Sequence, residues 1–183
     1  VWIGGLITYK AFEIAANRLG YPLSIITPGI NKDEIFSALK ILAPNYNQVI
    51  LVGYPPFIKD IIDEAHGHKL DLKKIKVRFL FAAEGFTEQF RDYLCKHTGV
   101  KNLFLDTLSI YGSADVGAMA YETGPGILTK RLAVSSKPLF KELFSNILKN
   151  PTLAQFNPLY IMFESIQGEI ALTANNALPL VRY

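Results

Sequence analysis

The chain reads as an α/β fold: a mainly parallel sheet with flanking helices, running into a β-rich antiparallel segment at the C-terminus. Three observations predict this. Short apolar runs recur at nearly even spacing: Leu23 to Ile26, Val49 to Val52, Val77 to Phe81 and Leu103 to Leu105. Each is too continuous to alternate, which suits strands buried on both faces. Helical patterns fill the gaps, and that alternation implies parallel strands joined by right-handed crossovers. Beyond Leu159 the pattern changes to strand, turn, strand.

The elements follow in order. A first helix runs from about Ile7 to Leu19, with Gly20 as its stop. A second opens at Asn31, where Glu34 completes a capping box, and runs to about Leu42. A third follows Pro56, carries Phe57, Ile58, Ile61 and Ile62 on one side, and stops at Gly67. A fourth opens at Thr87, a natural cap for a first turn containing Glu88, and stops at Gly99. After Tyr111, a loop holding Gly124-Pro125-Gly126 leads to helical pieces around Thr129 to Val134 and Pro138 to Leu148. Strands then span Leu159 to Glu164 and Glu169 to Thr173, joined by the turn Ser165-Ile166-Gln167-Gly168, and a third begins at Leu178. The expected organisation is an α/β sheet subdomain over 1–110. Residues 111–183 then hold an active-site loop, a helical insert and the start of a β-rich subdomain.

Composition narrows the classes. At 183 residues the chain can bury one real core. With 50% hydrophobic and 19% charged residues, it is not an intrinsically disordered segment. A net charge of +3 is too small to imply nucleic acid. The single cysteine, Cys95, cannot form an internal disulfide, so a reducing cytoplasm is the default. It lies in a helical stretch and reads as a packing thiol. No apolar run reaches the roughly 20 residues of a membrane span, and no signal-peptide pattern is present. Val1-Trp2-Ile3-Gly4-Gly5 reads as mid-domain sequence and Leu180-Val181-Arg182-Tyr183 as a strand cut short, so a piece of a longer enzyme is expected.

Several chemistries lack their motifs: there is no Gly-x-Ser-x-Gly elbow, His-Glu-x-x-His helix, paired Cys-x-x-Cys or Walker loop. His66 and His68 stand at a helix end with no third metal ligand in view, where cationic groups are favoured anyway. The basic stretch Lys69 to Arg78 is not interleaved with aromatic residues and reads as a solvated turn before a strand.

Three consecutive strand ends carry unusual loops. Gly53-Tyr54-Pro55-Pro56 is either a plain connector, with Pro56 starting a helix, or a rigid wall beside a ligand cleft. In Ala82-Ala83-Glu84-Gly85-Phe86-Thr87, capping accounts for Thr87 but not for Glu84 or Gly85. Tyr111-Gly112-Ser113-Ala114-Asp115-Val116-Gly117 sets an aromatic ring, two glycines and a carboxylate at one strand end. In a parallel sheet these ends share an edge, where open α/β sheets bind ligands.

Taken together, Ala83-Glu84-Gly85, Tyr111-Gly112-Ser113-Ala114-Asp115, Gly168-Glu169-Ile170-Ala171-Leu172-Thr173 and Leu178-Pro179-Leu180-Val181-Arg182-Tyr183 resemble the adenylate-forming enzymes. The branch in view is that of the phenylacetate–coenzyme A ligases. The resemblance covers essentially the whole chain, as a piece of the large N-terminal domain. It implies an ATP-dependent ligase that activates a small carboxylic acid as an acyl-adenylate and passes it to coenzyme A or a similar acceptor. It implies that Tyr111 stacks on adenine, that Ala83, Glu84 and Gly85 line the base pocket with Gly112 and Ala114 nearby, and that Asp115 holds Mg²⁺. Gly53, Tyr54 and Pro55 would lie near the acyl pocket.

Two positions depart from the family pattern, which ends Thr-Glu where this chain has Ala114 and Asp115. Asp keeps the charge on a shorter stem. Ala cannot donate to phosphate, so that contact is lost or passes to Ser113; one such bond is worth roughly 1.5–3 kcal/mol. The family's phosphate loop, ribose-binding Asp and mobile C-terminal domain would lie outside these residues, so the isolated chain is expected to be inactive. No nucleic-acid or membrane partner is implied, and a homodimer is compatible with the reading. A degenerate nucleotide-binding or scaffold domain without ligase activity is the alternative.

Overall fold

A computed structural model describes residues 3–145, 151–175 and 179–182. The chain divides into two units that interleave in sequence. One comprises Lys32–Tyr111 and Ala120–Phe156; the other comprises the described parts of 1–31, 112–119 and 157–183.

The first unit is built by helices with apolar stripes on a short sheet. Helix α2 (Lys32–Leu42) buries Phe36 and Leu39. Helix α3 (Pro55–Glu64) buries Ile58, Ile61 and Ile62, a one-sided pattern that a 3.6-residue period requires. Strand β1 (Val49–Gly53) pairs in parallel with β2 (Val77–Phe81), Val49 opposite Val77 and Gly53 opposite Phe81. Strand β3 (Thr107–Ser113) adds in parallel on the far side of β2, Phe81 opposite Ser109. Val77, Phe79 and Phe81 are buried with Phe36 of α2, Ile61 of α3 and Leu94 of α4 (Glu88–His97). Arg78 and Leu80, on the other face of β2, are only half-buried. The strand therefore alternates in burial, although its sequence is a nearly continuous apolar run.

The expected mainly parallel sheet is mixed instead. The five-stranded sheet has the order β1-β2-β3-β4-β5, with β4 spanning Gly117–Tyr121 and β5 Gln155–Phe156. Between β3 and β4 only residues 114–116 intervene, and a parallel neighbour needs a crossover of a dozen or more. The chain must turn straight back, and the Glu122 amide donates to the Ser109 carbonyl at 2.8 Å. β5 pairs antiparallel with β4, Tyr121 opposite Gln155. The fold is mixed α/β.

Two expected strands also need correction. Leu23 to Ile26 has no regular secondary structure, and Leu23 and Ile26 are exposed. Leu103 to Leu105 forms a single helical turn, α5 (Leu103–Asp106). The Asn102 side chain accepts the Phe104 amide at 3.0 Å, and Asp106 accepts the Lys101 and Asn102 amides at 3.1 and 2.8 Å. These local bonds win over the apolar pattern. Gly124-Pro125-Gly126 is likewise not a loop. Thr123 caps it, accepting the Gly126 amide at 3.3 Å, and helix α6 runs Gly124–Ser135. Helix α7 follows at Lys137–Phe144; the expected end at Leu148 lies outside the described residues.

In the second unit, helix α1 (Ile3–Leu19) ends ahead of Gly20, as its sequence indicates. Strands β6 (Ile161–Ile166) and β7 (Glu169–Asn175) form the expected antiparallel hairpin, Ile166 opposite Glu169. β8 (Pro179–Leu180) adds antiparallel to β7; Leu178, the expected start, lies outside the described residues. Ile161, Leu172 and Ala174 pack with Val116 and Met119 in the small core of this unit. Among the described residues no helix is long and apolar enough to cross a membrane.

Candidate functional site

The C-terminal ends of β1 and β2 finish in register, so the loops after them leave one edge of the sheet side by side. The Ala82 amide donates to the Gly53 carbonyl at 3.2 Å, carrying the ladder one residue past the strand. Beyond it, Ala83 takes φ 76°. That left-handed conformation costs a residue bearing a Cβ about 1–2 kcal/mol and persists only where neighbours enforce it. The turn brings Glu84 near Tyr54, and the Glu84 carboxylate beside it holds the Tyr54 phenol above its ordinary pKa.

Tyr54, Ala83, Glu84 and Gly85 are all exposed, as a ligand-facing edge requires. Gly53 packs against Ile58, where a Cβ would stand 3.3 Å from the Ile58 methyl, and a Cβ on Gly85 would stand 3.3 Å from Thr152 Oγ1. Pro55 is buried and opens α3 one residue before the expected start at Pro56, so helix initiation accounts for it. Tyr111 lies two residues past Ser109 on β3 and is 44% exposed. The structure thus sets the two loops side by side, with the Ala82 amide bonded to the Gly53 carbonyl and Glu84 near Tyr54.

Gly112, Ser113, Ala114 and Asp115 belong to the other unit, and all are exposed. Gly112 and Ser113 end β3, and Ala114 and Asp115 lead the tight turn beyond it, in which Ser113 Oγ accepts the Val116 amide at 3.2 Å. Val116 is buried beneath it. Among the described residues no group of three or more His, Cys, Asp or Glu side chains could cage a metal by itself. Mg²⁺ asks for less: it keeps several waters and takes one or two carboxylates together with substrate phosphate. An exposed Asp115 has the chemistry of one such carboxylate.

The motif ending also gains a partner. Arg182 Nη2 and Nε lie 3.0 and 3.2 Å from the two Glu164 oxygens, a two-pronged pair joining the last segment to β6. Tyr183 lies outside the described residues.

The largest feature missed from sequence is a buried ionic cluster behind the Ala82–Thr87 loop. Arg91 is fully buried and grips both Glu122 oxygens at 3.0 Å. It also donates to Glu88 Oε2 at 3.1 Å, to Thr107 Oγ1 at 2.6 Å and to the Thr107 carbonyl. Lys130 Nζ lies 3.0 Å from Glu88 Oε1 and 3.4 Å from Glu122 Oε1. Arg131 bridges Glu88 at 3.2 Å and Asp92 at 2.8 Å. Glu88 and Arg91 share the inward face of α4 with Leu94, at spacing of three, a signal that the sequence did carry.

Elsewhere in this unit Thr123, Gly126, Leu153, Ala154, Gln155 and Phe156 line an open groove of about 310 Å³ that contains none of the expected site residues. His68 stacks on Phe36 with ring centres 3.8 Å apart, a packing role. Burial raises the Cys95 thiol above its ordinary pKa, which suits an inert packing group. No protein-family model matches the chain, and no curated protein matches it.

Proposed function

We propose that this chain forms part of the large domain of an AMP-forming carboxylate–thiol ligase, with ATP and a small carboxylic acid as substrates and coenzyme A or a similar thiol as acceptor. The observation that carries the reading is the bonded, in-register edge of β1 and β2, where the Ala82 amide donates to the Gly53 carbonyl at 3.2 Å beside the strained Ala83. It joins two segments singled out independently in the sequence, at the edge where open α/β sheets bind ligands. Strain of this kind clusters at functional sites. The antiparallel β6–β7 hairpin also favours this reading over a flavodoxin-like domain, which would lack it.

In this reading Ala83, Glu84 and Gly85 line the base, Tyr111 stacks on it, and Gly53, Tyr54 and Pro55 face the acyl group. Gly112 and Ala114 keep the backbone close to the nucleotide, Asp115 takes Mg²⁺ and Ser113 donates to phosphate. When bound, Mg²⁺ would neutralise phosphate charge. The protein's own part is to hold two substrates in line and to present donors where charge develops. No protein nucleophile is needed, because the substrate carboxylate attacks. The single cysteine supports a reducing cytoplasm as the compartment in this reading.

ATP–pyrophosphate exchange on the full reading frame, assayed across aryl and acyl acids, tests the proposal; absence of exchange with every acid overturns it. The 183-residue chain by itself should show no turnover. One observation favours a binding module without catalysis. Ala114 offers no hydroxyl to phosphate where the family pattern has Thr. ATP-dependent thermal stabilisation without pyrophosphate release would select that reading.

A further inference from the structure

We propose that Lys130 is a positioning residue for the loop after β2, acting through Phe86 on the Ala83-Glu84-Gly85 segment. The link to nucleotide binding rests on the function proposed above; the link to loop conformation does not.

Phe86 stands two residues beyond Glu84 and is held on several sides. The Lys130 ammonium lies 3.5 Å from its carbonyl oxygen and 5.5 Å from its ring centre. The Arg91 guanidinium lies 4.7 Å from the same ring. Phe81 and Phe90 meet the ring edge-on, at 4.8 and 5.5 Å between centres. Lys130 is in turn fixed by Glu88 and Glu122, and its side chain is 4% exposed. The loop is therefore pinned at both ends: Ala82 to Gly53 at the start, Phe86 to α6 and α4 at the finish. Between the pins sit the left-handed Ala83 and the Glu84 that meets Tyr54.

Stability does not demand this arrangement. Three cations (Arg91, Lys130, Arg131) meet three carboxylates (Glu88, Glu122, Asp92). Taking such ions out of water is expensive, and apolar side chains of the same volume often do as well or better. Apolar packing cannot hold a carbonyl in one direction; an ammonium fixed by two carboxylates can. The cluster supplies what a strained loop needs, namely surroundings that over-determine its conformation.

Three variants of the full chain test the idea: Lys130→Met, which keeps the stem, Lys130→Arg, which restores the charge, and Phe86→Leu, which leaves the ions in place. Hydrogen exchange is compared between residues 82–87 and the β1 segment 49–53. Lys130→Met should speed exchange at 82–87 about tenfold, as loss of one charge-assisted bond implies, and leave β1 unchanged. Lys130→Arg should restore protection, and Phe86→Leu should reproduce the local loosening even if Lys130→Met fails to fold. Uniform loosening across the chain, or none at 82–87, overturns the proposal. Calorimetry with MgATP gives the second readout. If the parent chain binds MgATP, Lys130→Met should weaken the Kd about tenfold, and an unchanged Kd overturns the functional link. If the parent chain does not bind MgATP, the proposed nucleotide site fails, while hydrogen exchange still decides the role of Lys130.

Discussion

The carbonyl oxygen of Gly117 occupies space that a Cβ on Gly112 would need. The two glycines of the Tyr111–Gly117 element thus serve different ends. Gly112 lets the returning backbone approach. Gly117 takes φ 80° with nothing crowding it. Gly112→Ala must displace backbone and should cost about 1–3 kcal/mol, as overpacking does. Gly117→Ala meets only the left-handed penalty, about 1–2 kcal/mol. Urea unfolding of both variants checks this, and a larger loss at Gly117 than at Gly112 would contradict it.

Asn102→Ala should destabilise by about 1 kcal/mol, the usual worth of a helix cap. The Asn102 side chain is what bends the apolar run Leu103 to Leu105 into a turn, by accepting the Phe104 amide. The variant keeps every apolar contact, so a urea midpoint equal to that of the parent chain would mean that the cap does not decide the conformation.

That turn shows where sequence reasoning stops. The helices were legible because their signals are local: Ile58, Ile61 and Ile62 share one face, and Thr87 caps α4 by accepting the Phe90 amide at 3.2 Å. The short apolar runs carried less. Leu23 to Ile26 has a strand's composition, but no ladder partner can be read from composition. Leu103 to Leu105 suits helix or strand, and its flanking Asn102 and Asp106 decided the matter. Strand-end loops stood out by their Gly and Pro content, yet nothing in the sequence paired Tyr54 with Glu84. The ionic cluster was hidden for the same reason. Glu122 meets both Arg91 and Lys130 only where the end of β4, α4 and α6 come together, which leaves no mark in any single segment.

Asp63 carries a pH dependence whose sign is fixed by its partners. Lys59 lies 2.5 Å from its carboxylate and lowers its pKa most; the Tyr93 hydroxyl donates to the other oxygen and adds to the effect. The folded carboxyl holds its proton less tightly than the unfolded one. Its stabilisation is therefore present above the ordinary value of 3.8 and is lost as pH falls through the folded value. Asp63→Asn should be less stable than the parent chain at neutral pH and converge with it in acid. Carbon-detected NMR titration should find the Asp63 pKa moving up in Lys59→Met by more than in Tyr93→Phe. The reverse order would put the tyrosine, not the lysine, in control.

The β6–β7 hairpin offers a gain in stability. Its loop is two residues, Gln167 and Gly168, with φ of 54° and 86°, the left-handed pair of a type I′ turn. Gly168 suits its position, but Gln167 carries a Cβ into a region that costs about 1–2 kcal/mol. Gln167→Gly would remove that strain while freeing the unfolded chain, which gives back about 0.4–1 kcal/mol. Gln167→Asn avoids the second cost, because Asn tolerates the left-handed region better than other side chains. The expected order of stability is Asn above Gly above Gln, with Asn gaining about 0.5–1 kcal/mol. The urea midpoint should rise without a change in slope, since the surface exposed on unfolding is the same. If Gln167→Asn lowers the midpoint, the Gln167 side chain must be making a contact worth more than the strain it imposes, and the hairpin would then be held by that contact and not by its turn.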